Sequence, residues 1–152
     1  MEIDDTLSFL LGHWALERSI EDHRSGTLGS LTGAAAIDSE ALERGSDPDA
    51  VARYEEQGEF RFGSQVTRAS RSLVCHRLSA GALMFHFLDG RPFVDLDLAG
   101  GGWQSVHLCG ADRYEISTSV CSRDVIQERW HVTGPEKHYA AVTTLSRLRA
   151  EG

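Results

Sequence analysis

After Gly12 the hydrophobic period of this sequence changes from helical to two, and it stays near two almost to the C-terminus. Trp14, Leu16 and Ile20 alternate with Glu17, Ser19 and Glu21, the pattern of a strand with one buried face. Short runs of the same kind follow near residues 27–37, 52–62, 66–77, 82–88, 93–98, 103–109, 114–121, 125–132 and 138–149. Between the later runs stand turn formers: Asp89-Gly90-Arg91-Pro92, Gly100-Gly101-Gly102, Gly110-Ala111-Asp112, Ser122-Arg123-Asp124 and Gly134-Pro135. Such connections suit hairpins and are too short for the crossover that parallel strands need. About ten strands in an up-and-down meander expose two edges unless the sheet closes on itself. The expected fold is therefore all-β, a single up-and-down antiparallel β-barrel of about ten strands.

A short helix is expected before the first strand, over Asp4–Leu11. Asp4 or Asp5 can cap it, and Leu7, Leu10 and Leu11 recur at helical spacing. The irregular stretch from Asp38 to Ala52 reads as a long loop with a helical turn at Ser39–Arg44. Because the meander resumes after it, residues 1–152 read as one domain.

Composition removes several function classes. Asp and Glu outnumber Lys and Arg by 23 to 15, for a formal charge of −8, and no basic cluster interrupts the balance. Phosphate backbones and anionic membranes both require clustered cations, so neither nucleic acid nor membrane is expected as a partner. Three cysteines without a CxxC pair are not a disulfide framework. The acidic start Met1-Glu2-Ile3-Asp4-Asp5 is unlike a basic signal peptide, and the expected location is cytoplasmic.

A barrel of this size holds more space than its own side chains fill, so it suits one small ligand. The opening Leu7-Ser8-Phe9-Leu10-Leu11-Gly12-His13-Trp14 resembles the start of the calycin superfamily, which includes lipocalins, fatty-acid-binding proteins and nitrobindins. That resemblance implies that Trp14 packs at the closed end under an arginine of the last strand, Arg147 or Arg149, as a cation–π pair. The chain as a whole resembles a bacterial family of uncharacterised calycin-like single domains, over Leu10–Arg18, Tyr54–Phe62, Asp89–Leu98, His107–Tyr114 and Trp130–Pro135. Nitrobindin, the haem-binding relative, shares the Leu-x-Gly-x-Trp opening and implies His138 as an iron ligand. The sequence departs from it at Ala15-Leu16-Glu17-Arg18-Ser19 and in the spacing after His138, and no cofactor is assigned.

Alternation sorts the polar residues onto faces without saying which face points inward. Trp103, Ser105, His107 and Cys109 share one face, next to a strand on which Tyr114 leads another. His107 is the expected acid or base, held by Asp112 or Asp95, with Tyr114 as a donor. The plainer reading is a hairpin whose polar groups hydrogen-bond their own loop. Arg18 interrupts an apolar face, and an inward arginine needs an anion, either an internal carboxylate such as Asp95 or a ligand carboxylate. The fatty-acid-binding resemblance implies the latter.

His86, in an apolar run, and Trp103, Cys109, Arg129 and Trp130 complete the expected ligand contacts. Asp95 and Asp97 would repel each other if both pointed inward, so at least one faces solvent. His107-x-Cys109 offers only two zinc ligands, and nothing in the spacing of His86 or His131 demands a third, so no metal is assigned.

Two functions follow. One is a carrier or sensor that binds a small anionic or aromatic metabolite in the barrel. The other is a small isomerase, cyclase or hydrolase built on His107, Asp112 and Tyr114. The expected partner is a small-molecule ligand, and a homodimer is left open. A third possibility is a cavity packed shut by Phe85, Phe87, Trp103 and Trp130.

Overall fold

The computed structural model describes residues 1–39, 48–79 and 81–149. Helix α1 spans Thr6–Leu10, shorter at both ends than the sequence suggests. Asp5 caps it: its carboxylate accepts the Ser8 N–H at 3.0 Å and the Ser8 hydroxyl at 2.8 Å. Strands β1 (Gly12–Asp22), β2 (Leu28–Asp38), β3 (Ala50–Phe62), β4 (Gln65–Arg77) and β5 (Ala82–Phe87) form the first half of the meander. Strands β6 (Pro92–Asp97), β7 (Gly102–Cys109), β8 (Asp112–Ser122), β9 (Val125–Thr133) and β10 (His138–Leu148) form the second. The helical turn expected at Ser39–Arg44 falls, apart from Ser39, outside the described residues.

The ten strands make one antiparallel sheet in the order β6-β5-β4-β3-β2-β1-β10-β9-β8-β7. The first and last strands thus pair at its centre, with Trp14 opposite Arg147 and Arg18 opposite Thr143. The free edges are β6 and β7, and side chains bring them together. The Trp103 indole donates to the Asp95 carbonyl at 3.1 Å, and the Ser105 hydroxyl bonds the Asp95 carboxylate. The result is a nearly closed barrel with a seam that carries no ladder among the described residues.

Barrel corners need close strand approach. Gly33 of β2 lies opposite Gly58 of β3. A Cβ on Gly33 would stand 2.5 Å from the Gly58 Cα, and one on Gly58 would overlap the Thr32 carbonyl. Only glycine lets the two backbones meet there.

Strict alternation places Phe93 with Asp95, opposite Val94 and Leu96. The β5–β6 register shifts between Phe85 and His86, and this turns Phe93 inward beside Val94. Asp95 is left at the seam.

Helix α1 closes one end. Trp14 is fully buried, and its indole N–H donates to the Leu10 carbonyl at 2.9 Å. Removing a side chain of that size from water stabilises by on the order of 5 kcal/mol. The Arg147 guanidinium lies 4.2 Å from the centre of the Trp14 ring and 5.1 Å from that of Phe9. It also donates to the Phe9 carbonyl at 2.8 Å and the Leu11 carbonyl at 3.3 Å. The Thr6 hydroxyl adds a second tie, donating to Gly81 at 2.7 Å and accepting the Leu98 N–H at 3.0 Å. None of the described helices is long and apolar enough to cross a membrane.

Candidate ligand cavity

The inward faces above this closed end enclose a cavity of about 80 Å³. That is several times the roughly 10–15 Å³ that one water requires, so there is room for a small organic group. Its floor is apolar: Leu10, Ile37, Leu73, Leu96, Leu98 and Ile126. Its upper wall is mixed, with Arg18, Tyr54, Arg71, Glu128, Trp130 and Thr143.

A carboxylate that the sequence reading passed over organises this wall. Glu56 of β3 continues the inward line of Ala52 and Tyr54, and its side chain is only 3% exposed. Arg18 grips it through both terminal nitrogens at 2.8 and 3.2 Å. Arg71 reaches it at 2.7 Å and the Tyr54 hydroxyl at 2.8 Å. Arg18 Nε donates to the Thr143 hydroxyl at 2.7 Å. A buried carboxylate loses several kcal/mol of solvation, and only this density of donors offsets the loss. Burial alone would raise the Glu56 carboxyl, but Arg18, Arg71 and Tyr54 outweigh it and hold it below the ordinary glutamate value. Burial, reinforced by Glu56, lifts the Tyr54 phenol well above its ordinary value.

Two features stay uncommitted. Arg71 Nε is buried without a hydrogen-bond partner among the described residues, while its guanidinium lies 5.1 Å from the centre of the Phe93 ring. Glu128 of β9 accepts the Trp130 indole N–H on one oxygen. Phe93 and Trp130, on strands that are not sheet neighbours, meet across the interior with centroids 5.3 Å apart. Phe87 extends this aromatic line on one side at 4.8 Å, and Tyr114 on the other at 6.1 Å.

Of the residues singled out from sequence, Arg18 and Trp130 line the cavity. His107 stands directly across from Tyr114, rings 6.1 Å apart, beyond the lining. Asp112 does not hold His107; it pairs with Lys137 at 3.2 Å, and Lys137 also reaches the Tyr114 hydroxyl at 3.2 Å. Those two oxygens raise the Lys137 ammonium well above the ordinary lysine value. Asp95 serves the seam with Trp103 and does not meet Arg18. His86 points away from the interior, its Nδ1 2.8 Å from that of His76. Cys109 and Arg129 are exposed, the latter donating to Gln127 at 3.2 Å. Phe85 lines the cavity floor without filling it.

Haem does not fit. His138 packs against His23 with centroids 4.7 Å apart, on the outward side of β10, and does not line the cavity. Among the described residues no three His, Cys, Asp or Glu side chains are grouped to hold a metal.

Fold and cavity together define the class: a small antiparallel barrel with a polar network buried in its interior. Residues 10–147 match the model of a family of unknown function, DUF6314, and the chain belongs to that family. Comparison with curated proteins returns no sequence match. Among solved structures, the S-type phycobiliprotein lyase CPES from Guillardia theta is similar, with a TM-score of 0.67 at 13% identity. That match covers 99% of this chain and 95% of the lyase. A DUF3598-family protein of unknown function from Nostoc punctiforme aligns with a TM-score of 0.56 at 14% identity, over 94% of this chain and 49% of its own length. At these identities the likeness is one of fold.

Proposed function

We propose that this protein is a ligand-binding barrel, a carrier or sensor that takes a small aromatic metabolite into its interior. The cavity carries the reading: an apolar floor, an aromatic wall and a few fixed polar groups are the composition of a small-molecule site. The likeness in fold to a phycobiliprotein lyase agrees with a calycin-type barrel but does not define the ligand. Of the two ligand types suggested by sequence, the aromatic one is favoured, because Arg18 is already committed to Glu56 and Thr143. The enzyme reading gains no support from the separation of His107 from Asp112.

Native mass spectrometry of freshly purified protein, against its denatured mass, tests this reading. An added organic mass that disappears on denaturation is expected. A bare protein that also leaves intrinsic Trp130 fluorescence unchanged on addition of one-ring aromatics would overturn it.

A further inference from the structure

We propose that the polar end of the ligand is a nitrogen donor, an amidine, an amine or a heteroaromatic N–H, received by Glu128, rather than a carboxylate received by Arg18. The proposal rests on the ligand-binding reading above and names the chemistry of that same cavity.

Consider first what an incoming carboxylate would meet. Arg18 uses Nε on Thr143 and both terminal nitrogens on Glu56. Glu56 occupies the place a ligand carboxylate would take, and it is saturated by two guanidinium groups and a phenol. A second anion would add to the carboxylates of Glu56 and Glu128, which already balance the guanidinium groups of Arg18 and Arg71.

A donor meets the opposite situation. Glu128 lines the cavity, and among the described residues its hydrogen-bond partner is the Trp130 indole alone, with no cation within ion-pair distance. Its second oxygen has no hydrogen-bond partner among the described residues. Trp130 and Phe93 stand beside it, tilted 34° to each other. A flat cation there gains a charge-assisted hydrogen bond and contact with aromatic faces together.

The test titrates the full-length protein with benzamidine, benzoate and toluene, followed by calorimetry and ligand-observed NMR. A hydrogen bond to a charged partner is worth about 1.5–3 kcal/mol, so benzamidine should bind about tenfold or more tighter than benzoate. Glu128→Gln keeps the shape and the acceptor for Trp130; it should erase that preference while toluene still binds, which also shows that the variant is folded. Benzoate binding as tightly as benzamidine, or a preference that survives in Glu128→Gln, overturns the proposal and leaves the binding reading standing. If none of the three enters the wild-type cavity, toluene included, both fall.

Discussion

Arg18 on β1 and Glu56 on β3 meet across the interior at 2.8 Å, with β2 between their strands. The pair ties the centre of the sheet to one arm of the barrel and sets the polarity of the cavity wall. Its worth depends on completeness. Removing one member strands a buried charge, whereas replacing both by apolar groups of similar volume removes the solvation cost with the attraction.

Glu56→Ala or Arg18→Met should therefore each destabilise by about 3–5 kcal/mol. The double variant Arg18→Met/Glu56→Leu should recover part of that loss, the remainder reflecting Arg71 and Tyr54, which lose their acceptor. Urea unfolding of the three proteins checks the order, and a double variant less stable than both singles would contradict it.

Acid should weaken the same network. The folded Glu56 carboxyl lies below the ordinary glutamate value, so the unfolded chain takes up the proton first. The stability it contributes is complete above that value and is lost as pH falls through the lower folded value. A Glu56→Gln variant should show a flatter dependence of unfolding midpoint on pH through this acidic window.

The closed end should be equally sensitive. Trp14→Ala empties a fully buried site and should cost about 3–5 kcal/mol. Arg147→Lys keeps the charge but loses the flat stack over Trp14 and the fork onto the Phe9 and Leu11 carbonyls, a loss of about 1–3 kcal/mol. Thermal unfolding of both variants measures these effects.

Gly33→Ala should destabilise more than a typical substitution, by over about 2 kcal/mol, because its Cβ meets the backbone of β3. Gly100→Ala, where the new Cβ has open space, should stay within about 0.5 kcal/mol of wild type. Equal stability in the two would show that the β2–β3 corner relaxes freely.

Thiol labelling should divide the cysteines. Cys109 and Cys121 are exposed, while Cys75 is buried and its thiol is pushed up to about 12 by that burial. Neutral-pH labelling of the native protein should modify Cys109 and Cys121, with Cys75 reacting only after unfolding. Mass spectrometry reads the sites directly.

Much of the architecture is legible along the chain, because alternation and turn chemistry act over a few residues. Trp14, Leu16 and Ile20 announce β1, and Gly110-Ala111-Asp112 announces the β7–β8 hairpin. The cavity was harder to read. Glu56 carried the same signal as Arg18, a charge in an otherwise inward period-two line, behind Ala52 and Tyr54. Arg71 stands likewise before Leu73 and Cys75. His107, Asp112 and Tyr114 are close in sequence, yet Lys137, from the β9–β10 connection, takes Asp112 and reaches Tyr114.

By itself the sequence determined the strands, their order along the meander, a capping aspartate at Asp4 or Asp5 and the glycine positions where chains turn. Each depends on local conformational preference and the two-residue period of a strand. Only the tertiary structure decided which side chains share the interior. Arg18 finds Glu56 across an intervening strand, Phe93 turns inward through a register shift at Phe85 and His86, and Trp130 meets Phe93 across the barrel. Those relationships arise from sheet closure and stagger, which bring distant residues together by geometry that no short stretch of sequence encodes.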